Sequence, residues 1–532
     1  MKREADEGVL RRLVTERIRV SGRSRVVPLS FRVLHRFKRT PPILCLPQTH
    51  PSAHAVLMTH LLTFCCLFFA IALHAGEKRP NILWLIAEDF GPHLGCYGTK
   101  EVLTPVLDGL AAKGMRFTRY YTTAPVCSAS RSAFNTGMYQ TTIGAHHHRS
   151  HRDDGYTLPA GVRLISERMR EAGYFTANVK ELPPEAGFKG SGKTDWNFAP
   201  PMKPFHSSNW NDLKTHQPFY AQVNFQETHR TFHGAEHADP AKVEIPPYYP
   251  KHEVTQKDWA QYLDAATELD RKIGKILELL KRDGLLENTV ICFVGDNGAA
   301  HVRAKQFCYE EGLNVPFILS WPSGFATPTG FEAGKASDRL LMSIDLTATS
   351  LAWAGIAKPQ SMQGQVFIGE KAEPAREYVF GARDRCDMTV FRLRTVRDAR
   401  YRYIRNFTPD RPFLQFNAYK EKQYPVWNLI KELAAQDKLT PEQAALAAPT
   451  MPAEELYDLA SDPHQIKNLA KSNQTEHRGA LERLREVLTN WIEQTHDQGR
   501  IPEPEEVAKN EGNTKPPQEK KGKVKKNKES DP

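Results

Sequence analysis

The feature that most constrains this chain is the run from Pro80 to Ile86, in which Ile82-Leu83-Trp84-Leu85-Ile86 is apolar without alternation. A strand of that kind has to be covered on both faces, as in a parallel sheet with helices on each side. Tyr174–Val179, Pro218–Phe225 and Thr289–Val294 read as further strands. Helical patterns lie between them. Thr104-Pro105 opens one that Gly114 closes, Val162 to Ala172 forms a second, and Leu263 to Leu280 repeats apolar residues at helical spacing. The expected fold is α/β, a large and mostly parallel sheet sandwiched by helices. Beyond Pro359 the pattern changes to short, alternating, half-buried strands at Tyr378–Phe380, Phe391–Val396 and Tyr401–Ile404. A helix from Leu481 to Ile492 follows, which implies a smaller C-terminal α+β subdomain with an antiparallel sheet. The expected boundaries are 76–359 for the large domain and 360–500 for the subdomain. With 532 residues the chain is long enough for both.

The net charge of +10 comes largely from the two ends, an Arg-rich segment before residue 40 and seven lysines between Lys515 and Lys528. Such runs read as solvated tails, and nucleic acid is not an expected partner. Residues 58–75 form a short apolar run that ends in small residues. Its length suits a signal peptide and is too short for a stable membrane span. The expected arrangement is a start at Met58 behind an extension (1–57), export to the periplasm or the medium, and a Lys-rich disordered tail (501–532). The eight cysteines show neither paired spacing nor a dense framework, which excludes a zinc ribbon and a disulfide scaffold.

Chemistry gathers where the strands end. Glu88-Asp89 follows the first strand, and Asp296-Asn297-Gly298 follows the strand at 289–294. In α/β proteins ligands bind at those ends. Pro125-Val126-Cys127-Ser128-Ala129-Ser130-Arg131 sets a cysteine at a helix start with a guanidinium four residues on, where amide groups and Arg131 stabilise developing negative charge. Gln226-Glu227-Thr228-His229-Arg230 lies past the strand at 218–225. His146-His147-His148 cannot all face one ion from a single loop, so they read as a pocket rim at which His147 or His148 touches substrate, beside Arg149, Arg152 and Arg230.

The heptad at 125–131 resembles the type I sulfatase signature, Cys-x-Pro/Ala-x-Arg, within the alkaline phosphatase superfamily. The resemblance covers residues 80 to about 495 and leans towards the heparan N-sulfatase (sulfamidase) type, on the run Phe225–Arg230 and on the spacing from Asp296-Asn297 to Lys305. It implies that a formylglycine-generating enzyme converts Cys127 to formylglycine, whose hydrate attacks sulfur and forms a sulfated intermediate. It also implies a Ca²⁺ ion held by Glu88, Asp89, Asp296, Asn297 and the modified Cys127; Glu88 stands where aspartate is usual. Arg131 and a lysine would grip the sulfate, and His229 with Lys305 would serve the leaving group. The family's Lys-x-His pair is absent. Lys193-Thr194-Asp195 resembles a variant of it, while Lys180 lies nearer the usual distance, and no base for the second half-reaction is assigned.

The resemblance implies a sulfated polysaccharide or oligosaccharide as substrate, through N-sulfate of glucosamine or an O-sulfate ester. Two alternatives use the same residues: a formylglycine phosphonate or phosphate-ester hydrolase, and a non-catalytic glycan-binding relative.

Overall fold

The computed structural model describes residues 78–151 and 154–503. The expected extension, the signal segment, Arg152 and the tail from 504 onward lie outside the described residues. Among the described residues no helix is long and apolar enough to cross a membrane, and Cys96, Cys127, Cys292, Cys308 and Cys386 are all free.

Among the described residues the chain runs first through β1 (Asn81–Ala87), β2 (Met115–Phe117), β3 (Tyr120–Tyr121), β4 (Phe175–Glu181), β5 (Ser207–Asn209), β6 (Phe219–Phe225), β7 (Thr289–Gly295), β8 (Phe317–Ser320) and β9 (Ala336–Ser337). Eight of them form one sheet in the order β5-β4-β6-β1-β7-β8-β2-β9, while β3 pairs with β10 (Leu341–Met342). The pairs from β5 through β7 are parallel, and β8 runs antiparallel to β7 and to β2. The architecture is thus the expected mostly parallel sheet.

The absence of alternation in β1 has a direct cause. Leu83, Leu85 and Ala87 enter one apolar core, together with Leu263, Leu269, Ile273 and Ile276 of the helix Glu253–Arg282. Ile82, Trp84 and Ile86 enter a second core on the other face, with Phe134, Ile165, Met169, Leu346 and Leu351. Both faces are roofed by helices, so every side chain of the strand is apolar or satisfied. Trp84, for example, donates its indole N–H to Ser350 Oγ at 3.2 Å.

Register sets the site. Ala87 is level with Phe225 of β6 and with Gly295 of β7. The residues that follow these three strands therefore emerge side by side at one sheet edge. The amide of Glu88 donates to the Phe225 carbonyl at 3.0 Å, and that of Asp296 to the Ala87 carbonyl at 2.9 Å.

The C-terminal sheet is antiparallel, in the order β11 (Val379–Arg383), β12 (Leu393–Arg397), β13 (Tyr401–Asn406), β14 (Glu454–Asp458). The sequence reading missed β14. It also expected half-buried strands, whereas all five residues of β12 are buried, including Arg394 and Arg397. Charge pairing makes that possible: Arg394 meets Asp497 at 2.5 Å and Asp384 at 3.1 Å, and Arg397 meets Glu310 at 3.0 Å. The last helix, Thr475–Gln494, packs Trp491 flat against Phe380 of β11.

Candidate active site

Cys127 is the first residue of the helix Cys127–Thr136, and Val126 before it offers no side-chain cap. The first-turn amides of such a helix lack intrahelical partners and face whatever lies beside Cys127. Cys127 is buried, and burial pushes its thiol up to about 12, against the pull of Lys193 and Lys305. An unmodified thiol of that kind is a poor nucleophile at neutral pH. Asp195 lies against it and is held well below the usual carboxylate range by Lys193 and Arg149, a hydrogen bond from the thiol adding to this against the cost of burial.

Arg131, one turn further on, is 1% exposed. Its Nε donates to Asp296 Oδ2 at 2.9 Å, and another nitrogen donates to Asn224 Oδ1 at 2.7 Å. The third guanidinium nitrogen has no hydrogen-bond partner. Asn224 had no signal in the sequence, since it sits inside an apolar strand.

Asp89, Asp296 and Asn297 meet at the edge defined by β1 and β7. The Asp89 amide donates to Asp296 Oδ1 at 2.9 Å, and Asn297 Nδ2 donates to Asp89 Oδ1 at 3.0 Å. Burial and the neighbouring Asp89 raise the Asp296 carboxyl, while Arg131 opposes them. Asp89 goes the other way: burial would raise it, but Lys305 at 2.5 Å, His229 and Lys193 hold it low. The side-chain oxygen of Asn297 is buried without a hydrogen-bond partner. Glu88 is beside them but is engaged by Lys193 at 2.7 Å and Ser191 at 3.2 Å. Among the described residues no three His, Cys, Asp or Glu side chains are gathered as an ion site by themselves. The oxygen set includes the Asn297 amide, and two lysines now hold the acids.

His229 is fixed by its neighbours. Its Nδ1 donates to the Arg230 carbonyl at 2.7 Å, which leaves Nε2 facing Asp89 Oδ2 at 3.7 Å. Lys305 and burial lower its pKa, with Asp89 opposing. Lys305 itself is 3% exposed, beneath the ring of Tyr419.

An open cavity of about 530 Å³ lies over these groups, lined by Glu88, Arg149, Ser191, Lys193, Gln226, His229 and Arg230 among others. Four non-glycine residues with left-handed backbone flank this region, Asp89, Arg149, Asp195 and Gln306. Such conformations concentrate where a fold is held for function.

Three sequence expectations need correction. Lys180 is exposed near the end of β4 and does not line the cavity, because the segment after β4 doubles back and brings Lys193 in instead. Arg230 reaches the cavity wall, but its guanidinium is locked to both oxygens of Asp258, at 2.5 and 2.6 Å, and packed on Tyr424. It also donates to the Ala300 and Gln423 carbonyls at 2.8 and 3.0 Å, so it anchors the wall. The three histidines do not share a rim. His148 is buried with Nδ1 on Ser128 Oγ at 2.8 Å, and His146 is 9% exposed. His147 lines a different cavity.

A family model described as sulfatase matches residues 80–203 and 205–356, more than half of the chain. The chain belongs to the sulfatase family. A second model, described as the C-terminal region of N-sulphoglucosamine sulphohydrolase, matches residues 298–437. The chain is 33% identical to an ulvan-active sulfatase of Formosa agariphila over 82% of this chain and 79% of that one. It is 25% identical to human N-sulphoglucosamine sulphohydrolase, covering 81% and 93% respectively. A solved structure in complex with its substrate, D-glucosamine-2-N,6-O-disulfate, aligns with a TM-score of 0.56 at 17% identity, covering 81% of this chain and all of that one. The fold is that of the alkaline phosphatase superfamily, and the family membership makes the chain a hydrolase of sulfate esters or sulfamates.

Proposed function

We propose that this sulfatase removes sulfate from a sulfated polysaccharide or oligosaccharide, with Cys127 converted to formylglycine and one Ca²⁺ bound beside it. The observation that carries this reading is the convergence on Cys127 of Arg131, Lys193 and Lys305 with two buried acids at one sheet edge. The unpartnered Asn297 oxygen and the buried carboxylates of Asp89 and Asp296 beside it fit a hard divalent cation. Asp89, Asp296 and Asn297 would hold it, with Glu88 as a fourth donor on release from Lys193. Formylglycine would supply a hydroxyl nucleophile, and the cation would neutralise charge on sulfate oxygens.

The chain's own groups supply the rest. Arg131 presents its open nitrogen towards an anion while Asp296 and Asn224 fix its plane. Lys193 adds positive charge at the cavity wall, and Lys305 adds it from a buried position, where such charge is most effective. Nε2 is the atom of His229 left to carry a proton to the leaving group, because Nδ1 is tied to the Arg230 carbonyl. Arg149 at the mouth attracts polyanions, so the rate should fall as salt rises through the physiological range.

The ulvan-active relative favours an O-sulfate ester, and the sulphoglucosamine relative favours N-sulfate. Matured enzyme incubated with ulvan and with N-sulfated glucosamine oligosaccharides, with released sulfate measured by ion chromatography, decides between them. Release from neither glycan, with activity only on a phosphonate ester, would overturn the reading. Export through residues 58–75 is part of the same proposal, since polysaccharide lies outside the cell, and is checked by the N-terminus of secreted protein.

A further inference from the structure

A second cavity, of about 450 Å³, opens on the C-terminal side of the active site. That volume is within the roughly 300–1,000 Å³ of small-molecule sites. His147, Arg385, Arg392, Arg411, Asp384 and Glu503 supply its charged and titratable walls. Phe391, Phe407 and Met388 supply apolar surface of the kind that packs on a sugar ring.

Arg385 is 1% exposed, and its guanidinium meets the Glu503 carboxylate and, at 3.2 Å, the Asp387 carbonyl. Nε donates to Glu503 Oε2 at 2.6 Å, and a second nitrogen donates to Oε1 at 3.2 Å. This two-pronged geometry is how arginine grips a carboxylate or sulfate. His147 supports the same anion. Its Nδ1 accepts the Arg385 amide at 3.2 Å, so Nε2 carries the ring proton, and Nε2 lies 3.8 Å from Glu503 Oε1. Arg392 packs on Phe407 with its guanidinium 4.1 Å from the ring centre, and among the described residues that guanidinium donates to the Arg500 carbonyl at 3.1 Å. Asp384, the other acid, is turned away to Arg394 at 3.1 Å. The segment bearing Glu503 is fastened at Gln498, whose amide and side chain bond to the Thr141 and Thr142 carbonyls at 3.0 and 2.8 Å. Beyond that point Ile501 is 71% exposed.

One loop borders both this cavity, through His147, and the active-site cavity, through Arg149. Cys386 packs in one apolar cluster with Cys127, and His148, next to His147, bonds to Ser128.

We propose that this cavity is a second anionic-sugar subsite. It takes the carboxylate or sulfate of another residue of the same substrate chain, and the Glu503 carboxylate occupies it until such a group displaces it. The inference rests on the proposed glycan substrate.

The test is calorimetric binding to the full chain carrying Cys127→Ala, which prevents turnover. The probes are trigalacturonate, which carries carboxylates and no sulfate, and a κ-carrageenan hexasaccharide, which carries sulfates and no carboxylate. Glu503→Gln should raise affinity for at least one probe about fivefold or more, and Arg392→Gln should lower it by a similar factor. In the catalytically competent chain both variants should keep the parent kcat/KM on a small aryl sulfate, which has no second charged group. The probe that responds identifies the anion. Parent-like binding of both probes by both variants overturns the subsite. If the variants respond in an enzyme that releases no sulfate from any glycan, the proposed function fails and the subsite stands; sulfate release with no response of either variant means the reverse.

Discussion

Arg131 shows how little freedom the catalytic residues have. Its Nε and one further nitrogen are already committed to Asp296 and Asn224, which aims the remaining nitrogen. Lysine keeps the charge but cannot hold three directions at once, so Arg131→Lys should lower kcat by roughly a hundredfold or more with the fold retained. Circular dichroism with steady-state kinetics on an aryl sulfate checks both halves. Cys127→Ala should abolish turnover while leaving the melting temperature within about a degree, because the loss is one small buried group. Peptide mass spectrometry of active wild-type enzyme should find the mass of formylglycine at 127. Active enzyme with only unmodified cysteine there would sink the proposed chemistry. Gly298 carries a steric argument. A Cβ there would collide with the Glu311 carbonyl and with Gly312, at 2.7 Å. Gly298→Ala should therefore shift Asn297 and cost activity more than stability.

At the level of the elements, the loop that follows the Cys127 helix makes the protein acid-sensitive. Burial holds His146 down at about 4 and His148 at about 3. Both folded values lie below the unfolded value of about 6.5. The unfolded chain therefore takes up protons first. The contribution is fully present above about pH 6.5 and is lost as pH falls towards the folded values, on the order of 2 kcal/mol per histidine by pH 5. Urea unfolding at pH 7.5, 6 and 5 should show this, and His146→Leu should flatten the slope. An unchanged slope would remove His146 from the account. The same loop marks the limit of what the sequence shows. The strands, the pairs Glu88-Asp89 and Asp296-Asn297 at their ends and the helix start at Cys127 were legible because each rests on local pattern, a run of apolar residues or a short motif. The fate of Arg230 was not, since Asp258 claims it from a helix 28 residues further along. Lys193 against Lys180 depended on a fold-back after β4 that no periodicity records. Buried β12 looked half-exposed because its arginines meet acids more than eighty residues away in Glu310 and about a hundred away in Asp497.

Across the whole molecule, charge ties the antiparallel sheet both to the large domain, where Arg397 and Arg402 meet Glu310 at 3.0 and 2.6 Å, and to the segment that follows the last helix. Arg394 is held by Asp497 and Asp384, and removing one partner leaves a buried charge without its compensation. Asp497→Ala should cost roughly 3–5 kcal/mol, read as a lower urea midpoint. The metal site couples to stability in a different way. Asp89 and Asp296 are buried, and Asp296 is raised by its burial and by Asp89, so the folded chain holds like charges together at some cost. A divalent cation relieves that cost in the folded state alone, because the unfolded chain has no such array. Binding then stabilises by about 2.7 kcal/mol when free ion is a hundredfold above its dissociation constant. Thermal unfolding in millimolar Ca²⁺ and in excess chelator should differ by several degrees. Asp296→Asn should lose this response, because the substitution removes the anionic donor. It should also lower stability by unpairing Arg131, so the calcium-dependent difference, and not the midpoint itself, is the readout. Glu88→Asp should keep the calcium response, since the shorter carboxylate stays at the same strand end. Identical unfolding of the wild type with and without calcium would reject the ion assignment while leaving membership of the sulfatase family untouched.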